Sequence, residues 1–275
     1  MISKRIKSSL KRRIFGFLYG INLFNNNNLS KIVYFFFNSS IRIKYLDENL
    51  IELNDPNYNL HISRRNRLGL YSMGIDYRLK ELANQYLIEE IKFSEKDIII
   101  DCGANIGEFS FYINNKYNSK IIAFEPDKIE FNVLSKNLNG QKLYNSVLSD
   151  KNGLVKFFLD NKTADSSIFF SNEKKCVEVQ SLKLDSFIQD NNIYNVKLLK
   201  LEAEGAEPEV LNGAVNSLKF IEYITADCGA ERGLNNETTI REVTNILYDN
   251  NFELINTSSF RNILLFKNIN LISKN

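Results

Sequence analysis

A single histidine, His61, and three cysteines, Cys102, Cys176 and Cys228, are all this 275-residue chain offers of the commonest metal ligands and thiol nucleophiles. Three scattered cysteines make neither a disulfide framework nor a zinc site. One histidine leaves almost no room for a His-dependent triad or a His-rich metal centre. Charge of one sign is missing too: 35 Lys and Arg stand against 33 Asp and Glu, so no global field favours a nucleic-acid partner. Long apolar runs are also scarce. Ile14–Phe24 is too short to span a bilayer, and no small-residue cleavage site follows it. The chemistry is therefore left to carboxylates, amides, hydroxyls or a cofactor. What is abundant is core material: 44% of residues are hydrophobic, with 20 Phe and 13 Tyr. That suffices for one domain of about 200 residues plus an extension.

Lys4, Arg5, Lys7, Lys11, Arg12 and Arg13 precede the apolar run. Such a segment leaves two placements open: peripheral contact with an anionic membrane surface, on the cytoplasmic side, or a docked helix with its charges in water. Asn25–Asn28 reads as a loop. Expected boundaries are a basic and aromatic segment over 1–30, a strand and helix extension over 31–95, and the main domain over 96–275. Within the extension, Ile32–Phe37 and Ile41–Tyr45 read as short strands. "DYRLKELANQYLIEEI" reads as an amphipathic helix with Asp76 as N-cap.

From residue 98 the rhythm becomes strand then helix. "IIIDCGANIGEFSF" gives a buried strand, a Gly-containing turn and a helix from about Gly107. "KIIAF" leads to "EPDKIEFNVLSKNLNG", a helix capped by Asp127 with Glu130 three residues on and Gly140 beyond its end. "KLYNSVL" is a third strand, and "LVKFFL" with "VEVQSLKL" an antiparallel insertion. "VKLLKLE" and "IEYITAD" are further buried strands, each followed by a helix, and "FELIN" with "NILLFK" closes the chain as a hairpin. Alternation of this kind predicts a doubly wound α/β sheet.

In a dinucleotide-binding turn, G-x-G-x-x-G, the second glycine lets a pyrophosphate approach. Here the string is Gly103, Asn105, Gly107. Asn tolerates left-handed backbone, so the turn survives, but its side chain would crowd a pyrophosphate. No G-x-x-x-x-G-K-[ST] loop is present. A nucleoside-like ligand without phosphate fits better. Glu125, ending the next strand, is placed to accept both hydroxyls of a ribose.

"IIIDCGANIGEFSF", "IIAFEPDKIEFNVLSKN", "LKLDSF" and "LLKLEAEGAEPEVLNGA" resemble the FkbM family of S-adenosylmethionine-dependent methyltransferases over roughly Ile98 to Phe220. The resemblance implies the seven-stranded class I methyltransferase sheet and S-adenosylmethionine as cofactor. It implies that Asp101, Gly103, Asn105 and Gly107 line the methionine end, that Glu125 binds the ribose, and that Ser149 and Asp150 meet the adenine. Where the family often has Asp-x-Glu-Gly, this chain has Glu202-Ala203-Glu204-Gly205. Family members commonly methylate a hydroxyl oxygen on a sugar or glycan precursor, and that is the expected reaction. A non-catalytic nucleoside-binding scaffold is the alternative, and Asn105 disfavours a third reading, an NAD-dependent oxidoreductase.

Glu202 and Glu204 end a buried strand and need partners or solvent. One of the pair, Glu202 ahead of Glu204, is expected to act as general base or to orient the acceptor hydroxyl; a divalent ion held by the pair is the lesser alternative. Glu207 and Glu209 read as offsets to a helix dipole. Glu231 and Arg232, in "CGAERG" after the fifth strand, are substrate-pocket candidates. Arg64, Arg65 and Arg67 offer either a solvated face or a site for an acidic substrate. Cys102 reads as buried filler and His61 as a surface residue.

Overall fold

The computed structural model describes residues 41–159, 166–169, 175–258 and 261–271. The basic segment, its membrane or docked placement, and the strand expected at 32–37 lie outside the described residues.

Three antiparallel strands come first: β1 (Arg42–Asp47), β2 (Leu50–Asn54) and β3 (Asn59–Ile62). A 3-10 segment leads to α1 (Ile75–Gln85). Then follow β4 (Ile98–Cys102), α2 (Glu108–Tyr117), β5 (Lys120–Phe124), α3 (Lys128–Asn137) and β6 (Lys142–Tyr144). The insertion comprises β7 (Val147–Leu148), β8 (Gly153–Leu159) and β9 (Lys175–Leu182), paired as β7-β9-β8. After it come α4 (Leu184–Asp190), β10 (Val196–Leu201), α5 (Glu207–Asn212) and β11 (Ile221–Asp227). The short ribbon β12 (Ala230–Arg232) and β13 (Glu237–Thr238), α6 (Ile240–Asp249), β14 (Phe252–Thr257) and β15 (Ile263–Asn268) complete it.

The central sheet runs β14-β15-β11-β10-β4-β5-β6. Only β15 is reversed, pairing antiparallel with β11 and β14. This is the expected α/β class I methyltransferase sheet. Its strand order reverses at β4, so a crevice opens at the carboxyl ends of β4, β5 and β10, where ligands of such sheets bind.

Alternation with period two sends successive strand residues to opposite faces. Ile99, Ile121 and Leu198 face a core shared by β1–β3, α1, α2 and α3. Ile100, Ile122 and Leu199 face a second core under α4, α5 and α6. Strands buried on both faces explain the unbroken aliphatic runs.

The early strands and α1 are tied to the sheet by more than apolar contact. Glu108, buried at the start of α2, receives Arg78 Nε at 2.8 Å and Nη2 at 3.0 Å, and Tyr71 Oη at 2.6 Å. Glu130, buried on α3, receives Ser63 Oγ at 2.6 Å and Arg64 Nε at 2.7 Å. Asn137 bonds both backbone groups of His61, at 2.7 and 2.8 Å.

Some local expectations change. The N-cap of α1 is Gly74, and Asp76 sits in the first turn, where it accepts from Lys80 at 2.7 Å. That helix stops at Gln85, because Leu87 takes a left-handed φ of 60°. Asp127 does cap α3, accepting from Ile129 N at 2.8 Å. The reciprocal bond expected from Glu130 is absent, since Ser63 and Arg64 occupy its carboxylate and Glu125 takes the Asp127 N–H at 2.8 Å.

Burial alone would raise the Glu108 carboxyl, but Arg78 and Arg67 outweigh it and hold it down at about 2. Removing one partner of a buried ion pair costs about 3–5 kcal/mol, because the other charge stays uncompensated. Arg78→Met is expected to lose that much in urea unfolding at pH 7. A depressed carboxyl contributes stability that is complete above its unfolded value and lost as pH falls through its folded one. Wild type and variant should therefore converge as pH drops from about 4.5 towards 2.

Candidate active site

β4 ends at Cys102, and the chain turns through Gly103 (φ 72°) and Asn105 (φ 52°) into α2. Gly103 N and Ala104 N both donate to Phe124 O, each at 3.0 Å, stitching the turn to β5. A Cβ at position 103 would lie 1.8 Å from the Glu202 carbonyl oxygen. No side chain fits there. At Gly107 a Cβ would instead meet Leu134 Cδ1 at 2.6 Å, so this glycine serves the approach of α2 to α3. It does not line the cavity, contrary to expectation.

The cavity beside this turn has a volume of about 310 Å³. Of the expected cofactor residues, Gly103, Asn105 and Glu125 line it. Glu125 is buried at the tip of β5 and accepts Asn105 N at 2.7 Å and Asp127 N at 2.8 Å. Burial pushes its carboxyl up to about 8, against the pull of those two N–H groups. One wall is apolar, made by Phe124, Val147, Leu148 and Phe157. In that wall the buried Ser146 hydroxyl has no hydrogen-bond partner among the described residues.

Asp101 is displaced from its expected place. It is fully buried, off the cavity, with Oδ2 accepting Ser110 Oγ at 2.6 Å and Oδ1 3.1 Å from Lys200 Nζ. Ser149 is likewise buried behind the wall, 3.0 Å from Ser181 Oγ, and Asp150 is exposed. The wall comes from the residues just before them, because β7 pairs with β9 and turns position 149 away from the crevice.

Lys200 is 2% exposed, one residue before the end of β10. Its ammonium reaches Asp101, Glu202 Oε2 at 3.0 Å and the Gly103 carbonyl at 2.7 Å. Burial would lower its pKa; Asp101 and Glu202 reverse that and keep it charged. Glu202 also meets Arg261 at 3.4 Å, and Arg261 pairs in turn with the buried Asp227. Burial raises Glu202, but Lys200 and Arg261 bring it down to about 2.

Glu202 and Glu204 both line the cavity, as does Glu231. A carboxylate held near 2 is a feeble proton acceptor, which favours the orienting role for Glu202 over the general-base role. Arg232 is otherwise occupied: it clamps Glu209 at 2.6 and 2.8 Å, donates to Gly205 O at 2.6 Å and stacks over Phe169, away from the cavity. Glu207 is buried and tied to Ala203 N and Thr239 Oγ1, each at 2.9 Å, so it braces the turn rather than offsetting a dipole in solvent. Arg64 and Arg67 answer Glu130 and Glu108, and Arg65 stacks on Tyr45. Only Arg67 of the three reaches the cavity wall, where it also bonds Asn105 Oδ1. Cys102 is buried, with its thiol pushed up by burial, and His61 lies off the cavity. Among the described residues, no group of three or more His, Cys, Asp and Glu is placed to hold a metal ion.

Sheet order, crevice and turn together define a class I methyltransferase. The Methyltransferase FkbM domain family matches residues 101–254, more than half of the chain, and the chain belongs to that family. It is 27% identical to Methyltransferase sdnD of Sordaria araneosa over 54% of this chain and 73% of that protein. It is 26% identical to the hexuronic acid methyltransferase AglP of Haloferax volcanii over 56% of this chain and 64% of that one. It is 21% identical to the 2-O-methyltransferase NoeI of Sinorhizobium fredii, over 77% and 91%. Among solved structures, the FkbM methyltransferase from Methylobacillus flagellatus matches with a TM-score of 0.46 at 16% identity. That match covers 74% of this chain but spans about half, 54%, of the solved one.

Gly103 and Gly140 provide a matched test of the turn. Both have positive φ, but nothing lies within 4 Å of a Cβ at position 140. Gly140→Ala is expected to cost about 1–2 kcal/mol from its left-handed backbone. Gly103→Ala should cost about 1–3 kcal/mol more, because β10 must also move. Urea midpoints of the two variants measure the difference.

Proposed function

We propose that this chain transfers a methyl group from S-adenosylmethionine to a hydroxyl oxygen of a sugar or glycan precursor. The observation that carries the cofactor half is the cavity itself, which joins the Glu125 carboxylate, the Ser146 hydroxyl, without a partner among the described residues, and an apolar wall at the point where the strand order reverses. Those groups suit a nucleoside: Glu125 would accept ribose hydroxyls, while Phe124, Val147, Leu148 and Phe157 would enclose the purine with Ser146 at its polar edge. The Gly103–Asn105 turn and the Lys200–Glu202 pair would face the amino-acid end. Of the relatives, the hexuronic acid methyltransferase supports a sugar acceptor and the 2-O-methyltransferase supports transfer to oxygen.

Bound there, S-adenosylmethionine supplies an already activated methyl group. The chain's own tasks are then alignment and removal of the acceptor proton. Alignment can be worth about 7–11 kcal/mol, so a site without a nucleophile suffices. Glu202, fixed from both sides by Lys200 and Arg261, is suited to orient an acceptor hydroxyl.

Isothermal titration with S-adenosylmethionine and S-adenosylhomocysteine tests the first half. Hydrogen bonds to a charged acceptor are worth about 1.5–3 kcal/mol, so Glu125→Gln should weaken binding roughly 10–100-fold. An ionised carboxylate accepts ribose hydroxyls best, and burial pushes Glu125 up to about 8. Wild-type affinity is therefore expected to rise with pH between about 7 and 9, and the Gln variant to show no such rise. Transfer of tritiated methyl to sugars, nucleotide sugars and oligosaccharides tests the second half. Tight cofactor binding with no labelled carbohydrate would overturn the acceptor class.

A further inference from the structure

With Glu202 ion-paired, removal of the acceptor proton falls to another group, and the cavity carboxylates Glu108, Glu125, Glu202 and Glu231 differ in what holds them. Glu108 is locked by Arg78 and Tyr71, Glu125 by two backbone N–H groups, and Glu202 by Lys200 and Arg261. Glu231 has no hydrogen bond and no ion pair to another described residue. It sits on β12, just beyond the carboxyl end of β11, with its carboxylate laid over Gly229, where a Cβ would come within 2.9 Å of Oε1. It lines the same cavity as Glu202, Glu204 and Arg261.

On the reading given under Proposed function, we propose that Glu231 is the catalytic residue that accepts the proton of the acceptor hydroxyl. As the acceptor oxygen bonds the methyl carbon, its proton passes to a Glu231 carboxylate oxygen. The methyl–sulfur bond breaks with its electron pair left on sulfur, which cancels the sulfonium charge. Glu231 then releases the proton to solvent, and no further reactant is needed.

The surroundings suit this task. Burial, Asp227 on β11, Glu202 after β10 and Glu207 on α5 all raise the Glu231 carboxyl, opposed by Arg261 from the loop before β15, and the balance lies at about 7. A carboxylate of that basicity takes a proton far better than one held near 2, and it is ionised over the upper half of the physiological range. Glu202 and Glu231 thus divide the work, one as a fixed anion and one as a titrating base.

The test compares wild type, Glu231→Gln, Glu231→Asp and Glu202→Gln. For each, cofactor affinity is measured by titration calorimetry and kcat by methyl transfer across pH 5.5–9. Glu231→Gln is expected to keep cofactor affinity within about twofold, which also certifies its fold, and to lose roughly 10²–10⁴-fold in kcat. The wild-type rate should rise with pH through about 7, and that limb should be absent in Glu231→Gln but present in Glu202→Gln. Glu231→Asp, which keeps a carboxylate, should recover part of the rate and the limb. Independently of turnover, carboxyl-labelled glutamate NMR should show a resonance with its midpoint near 7, separate from that of Glu125 near 8, that disappears in Glu231→Gln while the Glu125 resonance remains. A Gln variant with near wild-type kcat and an intact limb overturns the proposal, as does a Glu231 resonance that titrates near 4. Wild-type protein that binds no cofactor overturns the underlying reading instead, so the two failures are distinct.

Discussion

A lysine ammonium buried in the middle of a parallel sheet has to be matched by anions and carbonyls, and the site of this protein is organised around that demand. Lys200 draws Asp101 from β4, the carbonyl of Gly103 from the turn and Glu202 from the end of its own strand. Leaving such a charge unpaired would cost several kcal/mol, so these groups cannot drift independently. The turn is thereby pinned against β10 so closely that only glycine fits at position 103. Glu202 is held as an anion at the cavity rim, and Arg261 is drawn over it to reach Asp227.

A similar logic joins the early strands and α1 to the helices of the sheet. Glu108 and Glu130 are acids on the buried faces of α2 and α3, and each is answered by an arginine and a hydroxyl from the preceding segment. That segment also supplies Arg67, Leu82 and Tyr86 to the cavity wall. Its docking therefore bears on the site as well as on stability. Of the arginines that read from sequence as a solvated face or a site for an acidic substrate, Arg64 and Arg67 are instead paired with Glu130 and Glu108.

Much of this was legible beforehand because it is local. Aliphatic runs with period-two burial, the Asp127 cap, Gly140 beyond α3, and a glycine turn between β4 and α2 each follow from a few neighbouring residues. So does Glu125, whose place at a strand tip is a matter of counting from β5. Three of the misplacements share one cause. Asp101, Ser149 and Arg232 belong to short motifs whose positions were read correctly, yet each side chain is claimed by a partner from a distant stretch: Lys200, Ser181 and Glu209. The second lysine of "VKLLKLE", Lys200, was the available signal for the buried network, since a charge in an apolar strand must have partners.

By itself the sequence determined the elements, the alternation that makes a doubly wound sheet and the glycine turn between β4 and α2. These rest on backbone propensity, hydrophobic period and motif spacing, all of which act over short range; the family was legible from the resemblance of its motifs. Tertiary structure decided which acids are charged, which are paired and which face the cavity. Those properties depend on burial and on charges brought together from across the chain. Glu202 and Glu231 are the same residue type 29 positions apart; two neighbouring cations hold one near 2, while burial and surrounding anions lift the other to about 7.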